Sequence, residues 1–190
     1  MTNIAVFASG SGSNAENIAR YFQDSTLARV TLVVSDNPSA FVLERARNLG
    51  IEGLVFPRHE FSSGGAAVLG ALTDRRIGYV VLAGFLRLVP PALISHYQGR
   101  IINIHPALLP LFGGKGMYGD RVHAAVRASG VTETGITIHH VNDRYDSGDI
   151  IAQYRIPIDP SNSPDDIARK VHQLEYAWFP PTIEAEIGKL

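Results

Sequence analysis

The chain has no cysteine among its 190 residues. Disulfides, thiolate nucleophiles and cysteine-based zinc sites are excluded together, and a reducing interior fits this composition. Long apolar runs are missing too: the longest, Tyr79 to Leu86, is far too short to cross a bilayer. Met1-Thr-Asn-Ile-Ala-Val6 has no basic region ahead of an apolar stretch, so no secretory signal is read and a cytoplasmic location is expected. Charge is sparse, with 18% charged residues, a net charge of −1 and no block of one sign. A nucleic-acid face is therefore not indicated. No Gly-x-Ser-x-Gly is present, so covalent acyl transfer has no candidate nucleophile. Repeats, low-complexity segments and linkers are absent as well. What remains, at 45% hydrophobic residues, is an ordinary globular chain of a size for one domain.

The order of elements reads as β-α units. Ile4–Ala8 is a short apolar strand that runs into Ser9-Gly-Ser-Gly-Ser-Asn14, followed by a helix over Ala15–Phe22 with Ser13 or Asn14 as its N-cap. Val30–Val34, Leu54–Phe56 and Tyr79–Ala83 are further strands. Helices are expected from about Ala40 to Asn48, from Gly65 through Arg75 and over Pro91–Tyr97. Short connections between alternating strands and helices predict an α/β fold with a doubly wound, mostly parallel sheet and helices on both faces. Later come a helix near Arg121–Ala128 and two β-branched stretches, Gly135–Val141 and Ile150–Ile156. The alternation in the first of these suggests a half-covered edge region. Ser163-Pro-Asp-Asp opens a last helix with Ile167, Val171, Leu174 and Trp178 at helical spacing, which Pro180-Pro181 is expected to interrupt.

Arg100-Ile-Ile-Asn-Ile-His-Pro106 stands at the centre of this pattern. Asn103 and His105 are two apart on a short strand, so both side chains leave one face. At the carboxyl end of a central strand they point into the crevice where open α/β sheets hold ligands. A satisfied core histidine beside a turn-forming Asn is the plain alternative. A nearby carboxylate would fix the imidazole tautomer and favour its charged form, and Asp143, Asp146 and Asp149 are all candidates on the residues alone. Adjacent His139 and His140 point to opposite faces of a strand, so no metal is assigned to them.

The serine-rich turn is an anion cradle, since free N–H groups and a helix N-terminus face one point. Gly10-x-Gly12-x-x-Ala15 also satisfies the dinucleotide fingerprint, with Asp36 where an acid could hold a ribose hydroxyl. Three serines and Asn14 favour a terminal phosphate over a bridging pyrophosphate. The Gly-Gly-Lys-Gly at 113–116 is not a phosphate-binding P-loop, because Gly116 stands where Ser or Thr is needed. A nicotinamide-dependent oxidoreductase and a non-catalytic nucleotide-binding module are the alternatives that the turn keeps open.

The runs Gly-Ser-Gly-Ser-Asn at 10–14, Leu-Ala-Gly-Phe-Leu-Arg at 82–87, Ile-Asn-Ile-His-Pro-Ala-Leu-Leu-Pro at 102–110 and His-x-Val-Asn-Asp-x-x-Asp-x-Gly at 139–148 resemble one family. It is that of the phosphoribosylglycinamide formyltransferases of purine synthesis, and the likeness extends in order to Glu175. The resemblance implies a Rossmann-like formyltransferase fold with an antiparallel strand region near the C-terminal half, as a single domain over 1–190. Residues 1–100 would form the phosphate and ribonucleotide half and 101–190 the catalytic and folate half. It implies Asn103, His105 and Asp146 as the catalytic set, and Gly12, Ser13, Asn14 and Glu175 on the ribonucleotide. Leu86, Arg87, Leu88 and Val89, with Asn142 and Asp143, would line the folate pocket. The co-substrate would be 10-formyltetrahydrofolate, with no metal. The partners would be small molecules, without nucleic acid or membrane, and the protein a monomer or homodimer. Two segments depart from the family pattern. The stretch after Leu109 is longer and richer in glycine, and Ser62-Ser63-Gly64-Gly65 stands where relatives often carry a folate-contacting Arg, so nothing is assigned there.

Overall fold

The computed structural model describes residues 1–190. Its strands are β1 (Thr2–Phe7), β2 (Ala28–Ser35), β3 (Glu52–Val55), β4 (Ile77–Leu82), β5 (Ile101–His105), β6 (Glu133–His140) and β7 (Ile150–Pro157). The helices are α1 (Ser13–Tyr21), α2 (Val42–Asn48), α3 (Arg58–Ser62), α4 (Ala66–Asp74), α5 (Pro91–His96), α6 (Asp120–Ser129) and α7 (Pro164–Ile187). One seven-stranded sheet runs in the order β3-β2-β1-β4-β5-β6-β7. β1 to β5 are mutually parallel, and β6 and β7 return antiparallel.

Strand alternation divides the core between two faces. Ile4, Val6, Tyr79 and Val81 pack with Ile18, Val122, Val171 and Phe179 under α1, α2, α6 and α7. Ala5, Phe7, Val80 and Leu82 pack with Phe61, Leu72 and Leu93 under α3, α4 and α5. Because both faces are covered, the parallel strands are apolar along their length. The chain winds one way from β1 through β3 and the other way from β4, so the switch point lies between the ends of β1 and β4. There Ser9 joins the two ends: its N–H donates to the Gly84 carbonyl at 3.0 Å and its Oγ accepts from the Leu86 N–H at 3.0 Å.

Three expectations are corrected, and one helix was not anticipated. The short helix α3 was not legible, because five residues after Pro57 hold no full period. The N-cap of α1 is Gly12, in a left-handed conformation, and neither Ser13 nor Asn14 caps it. β6 is no edge: it lies between β5 and β7 and is buried nearly throughout, leaving β7 as the edge strand. Helix α7 runs straight through Pro180-Pro181, with Phe179, Ile183 and Ile187 on its buried face, whereas Trp178 is 43% exposed and stacks on Tyr154.

Continuity of α7 has a local cause. Proline at 180 removes the N–H that would serve the carbonyl of Tyr176. Asn17 of α1 supplies the missing donor, its Nδ2 reaching Tyr176 O at 3.0 Å. The start of the helix is fixed by a reciprocal capping box between Ser163 and Asp166. Asn17→Ala should therefore destabilise the fold by about 1 kcal/mol, read as a lower urea midpoint at unchanged slope. An unchanged midpoint would show that water serves that carbonyl equally well.

Candidate active site

A cavity of about 490 Å³ opens at the carboxyl ends of β1, β4 and β5. One wall is the turn Gly10–Asn14 that enters α1, with Ala83–Arg87 beside it. Gly12 must be glycine: its φ is +73° and a Cβ would stand 2.3 Å from Val42 Cγ2. That close approach aims the first N–H groups of α1 into the cavity, where they and the positive helix end suit an anion. Asn14 Nδ2 donates to Glu175 Oε2 at 2.8 Å, and His172 Nδ1 donates to the same oxygen at 2.8 Å. Helix α7 is thereby tied to the cradle across the mouth of the cavity.

On the opposite wall β5 and β6 pair so that Asn103 faces His139. The His139 ring lies 2.8 Å from the His140 carbonyl through Nδ1, and a carbonyl only accepts, so Nδ1 carries the proton. Its Nε2 is then the acceptor for Asn103 Nδ2–H at 3.0 Å. The second amide hydrogen of Asn103 is left for the cavity. By the same logic His105 Nε2–H donates to Phe112 O at 2.8 Å, which leaves Nδ1 free, 3.5 Å from Asp146 Oδ2. Asp146 Oδ1 lies 3.7 Å from His139 Nε2, and Oδ2 accepts from the Gly114 N–H at 2.9 Å. Asp146 adopts φ +52°, a conformation that Asp tolerates better than most residues. Gly113 packs so tightly there that a Cβ would stand 2.4 Å from Leu109 Cδ2 and 3.3 Å from Asp146 Cβ.

Burial is the dominant influence on His105 and lowers its pKa, with Asp146 and the Phe112 carbonyl opposing it only in part. The sequence-based expectation of a histidine held charged by its carboxylate is thus corrected: burial keeps the ring neutral at neutral pH. Burial also pushes Asp146 up, but His139, His105 and the Gly114 amide together outweigh it and hold the carboxyl below its usual range. His172 is raised, chiefly by its hydrogen bond to Glu175.

Gly12, Ser13, Asn14, Leu86, Arg87, Asn103, His105, Asp146 and Glu175 all reach this one cavity. Leu88, Val89, Asn142 and Asp143 do not line it. Val89 is buried in the core beside Leu93, Leu88 is 40% exposed, and Asn142 Oδ1 accepts from Arg144 N and Ser147 Oγ within its own loop. Tyr145 takes the place on the wall next to Asp146. Asp36, the acid on which the nicotinamide alternative relied, is buried against Arg87 at 3.0 Å and Arg58 at 3.6 Å. It has no access to a ribose. His123, His139 and His172 were missed as members of the site. For His139 the cross-strand register with Asn103 was the absent information. No group of three or more His, Cys, Asp or Glu side chains is arranged to hold a metal ion, and no helix is long and apolar enough to cross a membrane.

A doubly wound α/β sheet carries an anion cradle at its switch point, with an amide, an imidazole and a carboxylate converging opposite, an arrangement that suits a group-transfer enzyme. The formyl transferase family model matches residues 2–183. A phosphoribosylglycinamide formyltransferase of Bacillus subtilis is 40% identical over 99% of this chain and 96% of its own length. The chloroplastic one of Arabidopsis thaliana is 40% identical, with the chain spanning 64% of its length. The crystal structure of phosphoribosylglycinamide formyltransferase from Streptococcus pneumoniae superposes with a TM-score of 0.86 at 38% identity, covering 97% of this chain and 98% of that one. The chain belongs to the formyl transferase family, and it is a formyltransferase of purine biosynthesis.

The electrostatics can be read directly by NMR. His105 should titrate below 6.5 and His172 above it, from the directions of their shifts. Asp146→Asn removes the charge that supports the imidazolium, so His105 should fall further. Linkage carries the same sign: a histidine with a lowered folded pKa costs stability as pH drops below 6.5, where the unfolded ring protonates first. A His105 midpoint above 6.5, or one indifferent to Asp146→Asn, would contradict this account of the site.

Proposed function

We propose that this formyltransferase moves the formyl group of 10-formyltetrahydrofolate to the primary amine of glycinamide ribonucleotide. The observation that carries the reading is the convergence of the Ser-rich cradle and the Asn103, His105 and Asp146 set on one cavity. The cradle, Gly12 to Asn14, suits the ribonucleotide phosphate, and Glu175 stands where it can meet the same molecule. Leu86 and Arg87, with Tyr145 nearby, offer a wall for the folate. In this division residues 1–100 supply the cradle and 101–190 the reacting groups.

The chemistry follows from the groups present. The amine attacks the formyl carbon, a C–N bond forms and the formyl oxygen becomes an oxyanion. Preorganised donors at that oxygen supply the largest share of acceleration. Asn103, oriented by His139, offers its free amide hydrogen. As charge develops on the oxygen, His105 Nδ1 takes up a proton from water, offsetting burial, and the anionic Asp146 stabilises the resulting imidazolium. That proton returns to water when the oxyanion collapses. The proton lost by the attacking nitrogen passes, through water held at Asp146, to the folate nitrogen as its bond to the formyl carbon breaks.

The test is a coupled assay with both substrates, following release of tetrahydrofolate. Asn103→Ala should lower kcat by on the order of 10²–10³ with KM values little changed. Asn14→Ala should weaken ribonucleotide binding by roughly ten- to a hundredfold and leave folate binding alone, as for a charge-assisted hydrogen bond. Equal losses for both ligands would reduce the turn to a structural element, and absence of turnover by the wild type would end the reading.

A further inference from the structure

Arg45 lies on α2, outside the wall of the cavity, yet it holds the turn that forms the cradle. Its Nε donates to the Ser11 carbonyl at 2.9 Å, and its Nη1 pairs with Glu16 of α1. The guanidinium carbon sits 4.9 Å from the centre of the Phe41 ring, a cation–π contact that steadies the group. The start of the same helix makes a second contact of this kind with its backbone: the Val42 N–H donates to the Gly10 carbonyl at 3.1 Å. Two successive carbonyls of the turn are therefore pinned to α2.

A trans peptide carries its C=O and the following N–H on opposite sides. Pinning the Gly10 and Ser11 carbonyls toward α2 thus turns the N–H groups of Ser11 and Gly12 away from it, to the side on which the turn lines the cavity. Neither N–H meets an acceptor within the protein. Two amides held in this way, just ahead of α1, are donors for an anion. The two pins differ in kind. Val42 offers a neutral amide, whereas the guanidinium of Arg45 is a cation. A charged donor on the Ser11 carbonyl polarises that peptide and makes its N–H, that of Gly12, the stronger donor.

We propose that Arg45 is a positioning residue for the phosphate cradle: it grips the Ser11 carbonyl from outside the cavity, and so aims and strengthens the Gly12 N–H toward a bound phosphate. The inference rests on the reading that the cradle takes the phosphate of the ribonucleotide, and it assigns a role to a residue that never touches the ligand. Glu16 meets Arg20 through its other oxygen at 2.8 Å and ties α1 to α2 through the Arg45 guanidinium, but its carboxylate accepts nothing from the turn. It therefore separates the two contacts of Arg45 in a test.

The experiment uses the full chain in the two-substrate assay, with ¹⁵N NMR of the backbone amides under inorganic phosphate beside it. Arg45→Met should raise KM for the ribonucleotide about three- to tenfold, less than loss of a direct charge-assisted contact, with kcat and the folate KM little changed. Arg45→Lys, which keeps a charged donor for the Ser11 carbonyl, should recover much of that loss. Glu16→Gln removes the ion pair and should move KM far less. In the wild type, phosphate should shift the Gly12 N–H downfield. In Arg45→Met that shift should shrink, while the shift of Ser11, whose peptide is pinned by Val42, persists. Turnover by the wild type with an unchanged ribonucleotide KM in Arg45→Met overturns the proposal and leaves the ribonucleotide reading intact. An equal rise of KM for both substrates, or an equal effect of Glu16→Gln, overturns it too, because either assigns Arg45 to the packing of α1 on α2. A wild type that turns over nothing, or whose cradle amides ignore phosphate, ends the cradle reading and the proposal with it.

Discussion

A buried carboxylate is the constraint from which the site is built. Asp146 sits in a loop, with a left-handed backbone, in a place where an unpaired charge would cost several kcal/mol. The Gly114 amide donates a hydrogen bond to it, and two further segments converge on it. The end of β5 brings His105, the end of β6 brings His139, and the glycine-rich loop brings the amide of Gly114. Each partner is then held by something else: His105 by the Phe112 carbonyl and His139 by its own strand. Displacing the carboxylate would release the Gly114 amide and with it the glycine-rich loop.

Burial and a second carboxylate, Glu175, set how the cavity handles charge. Two of its histidines, His105 and His123, are lowered by burial, and one, His172, is raised by Glu175. The reacting end thus holds the anionic Asp146 beside a neutral His105 until chemistry creates charge there, whereas the cradle end has the positive end of α1, with His172 paired to Glu175. An anionic substrate is drawn to one end, and proton movement is confined to the other. That separation suits a transfer in which the acceptor is anchored by a phosphate away from the attacking amine.

Helix α7 turns a Rossmann-like sheet into a closed site. It crosses from the β7 side to α1, where Glu175 meets Asn14 and the Tyr176 carbonyl meets Asn17. Of the two prolines in its C-terminal third, Pro180 lacks a donor that α1 replaces through Asn17. Helix α6 packs against it and contributes His123. Ligand contacts therefore depend on helix packing as much as on strand ends.

Much of this was legible in the chain itself. Apolar runs at regular spacing, short connections and a serine-rich turn announce a doubly wound sheet with an anion site, since each is a local signal of backbone conformation. Asn103 and His105 were readable because a two-residue spacing on a strand fixes a common face. Asp146 could not be chosen over Asp143 and Asp149 from spacing, and only the family resemblance singled it out. Tertiary structure alone decided what distant residues do for one another. It gave His139 to Asn103 through register, consumed Asp36 in pairs with Arg58 and Arg87, kept α7 whole through its prolines, and brought His123 and His172 to Glu175. Those outcomes depend on partners many residues away, and periodicity carries no information about which distant side chain will fill a missing hydrogen bond.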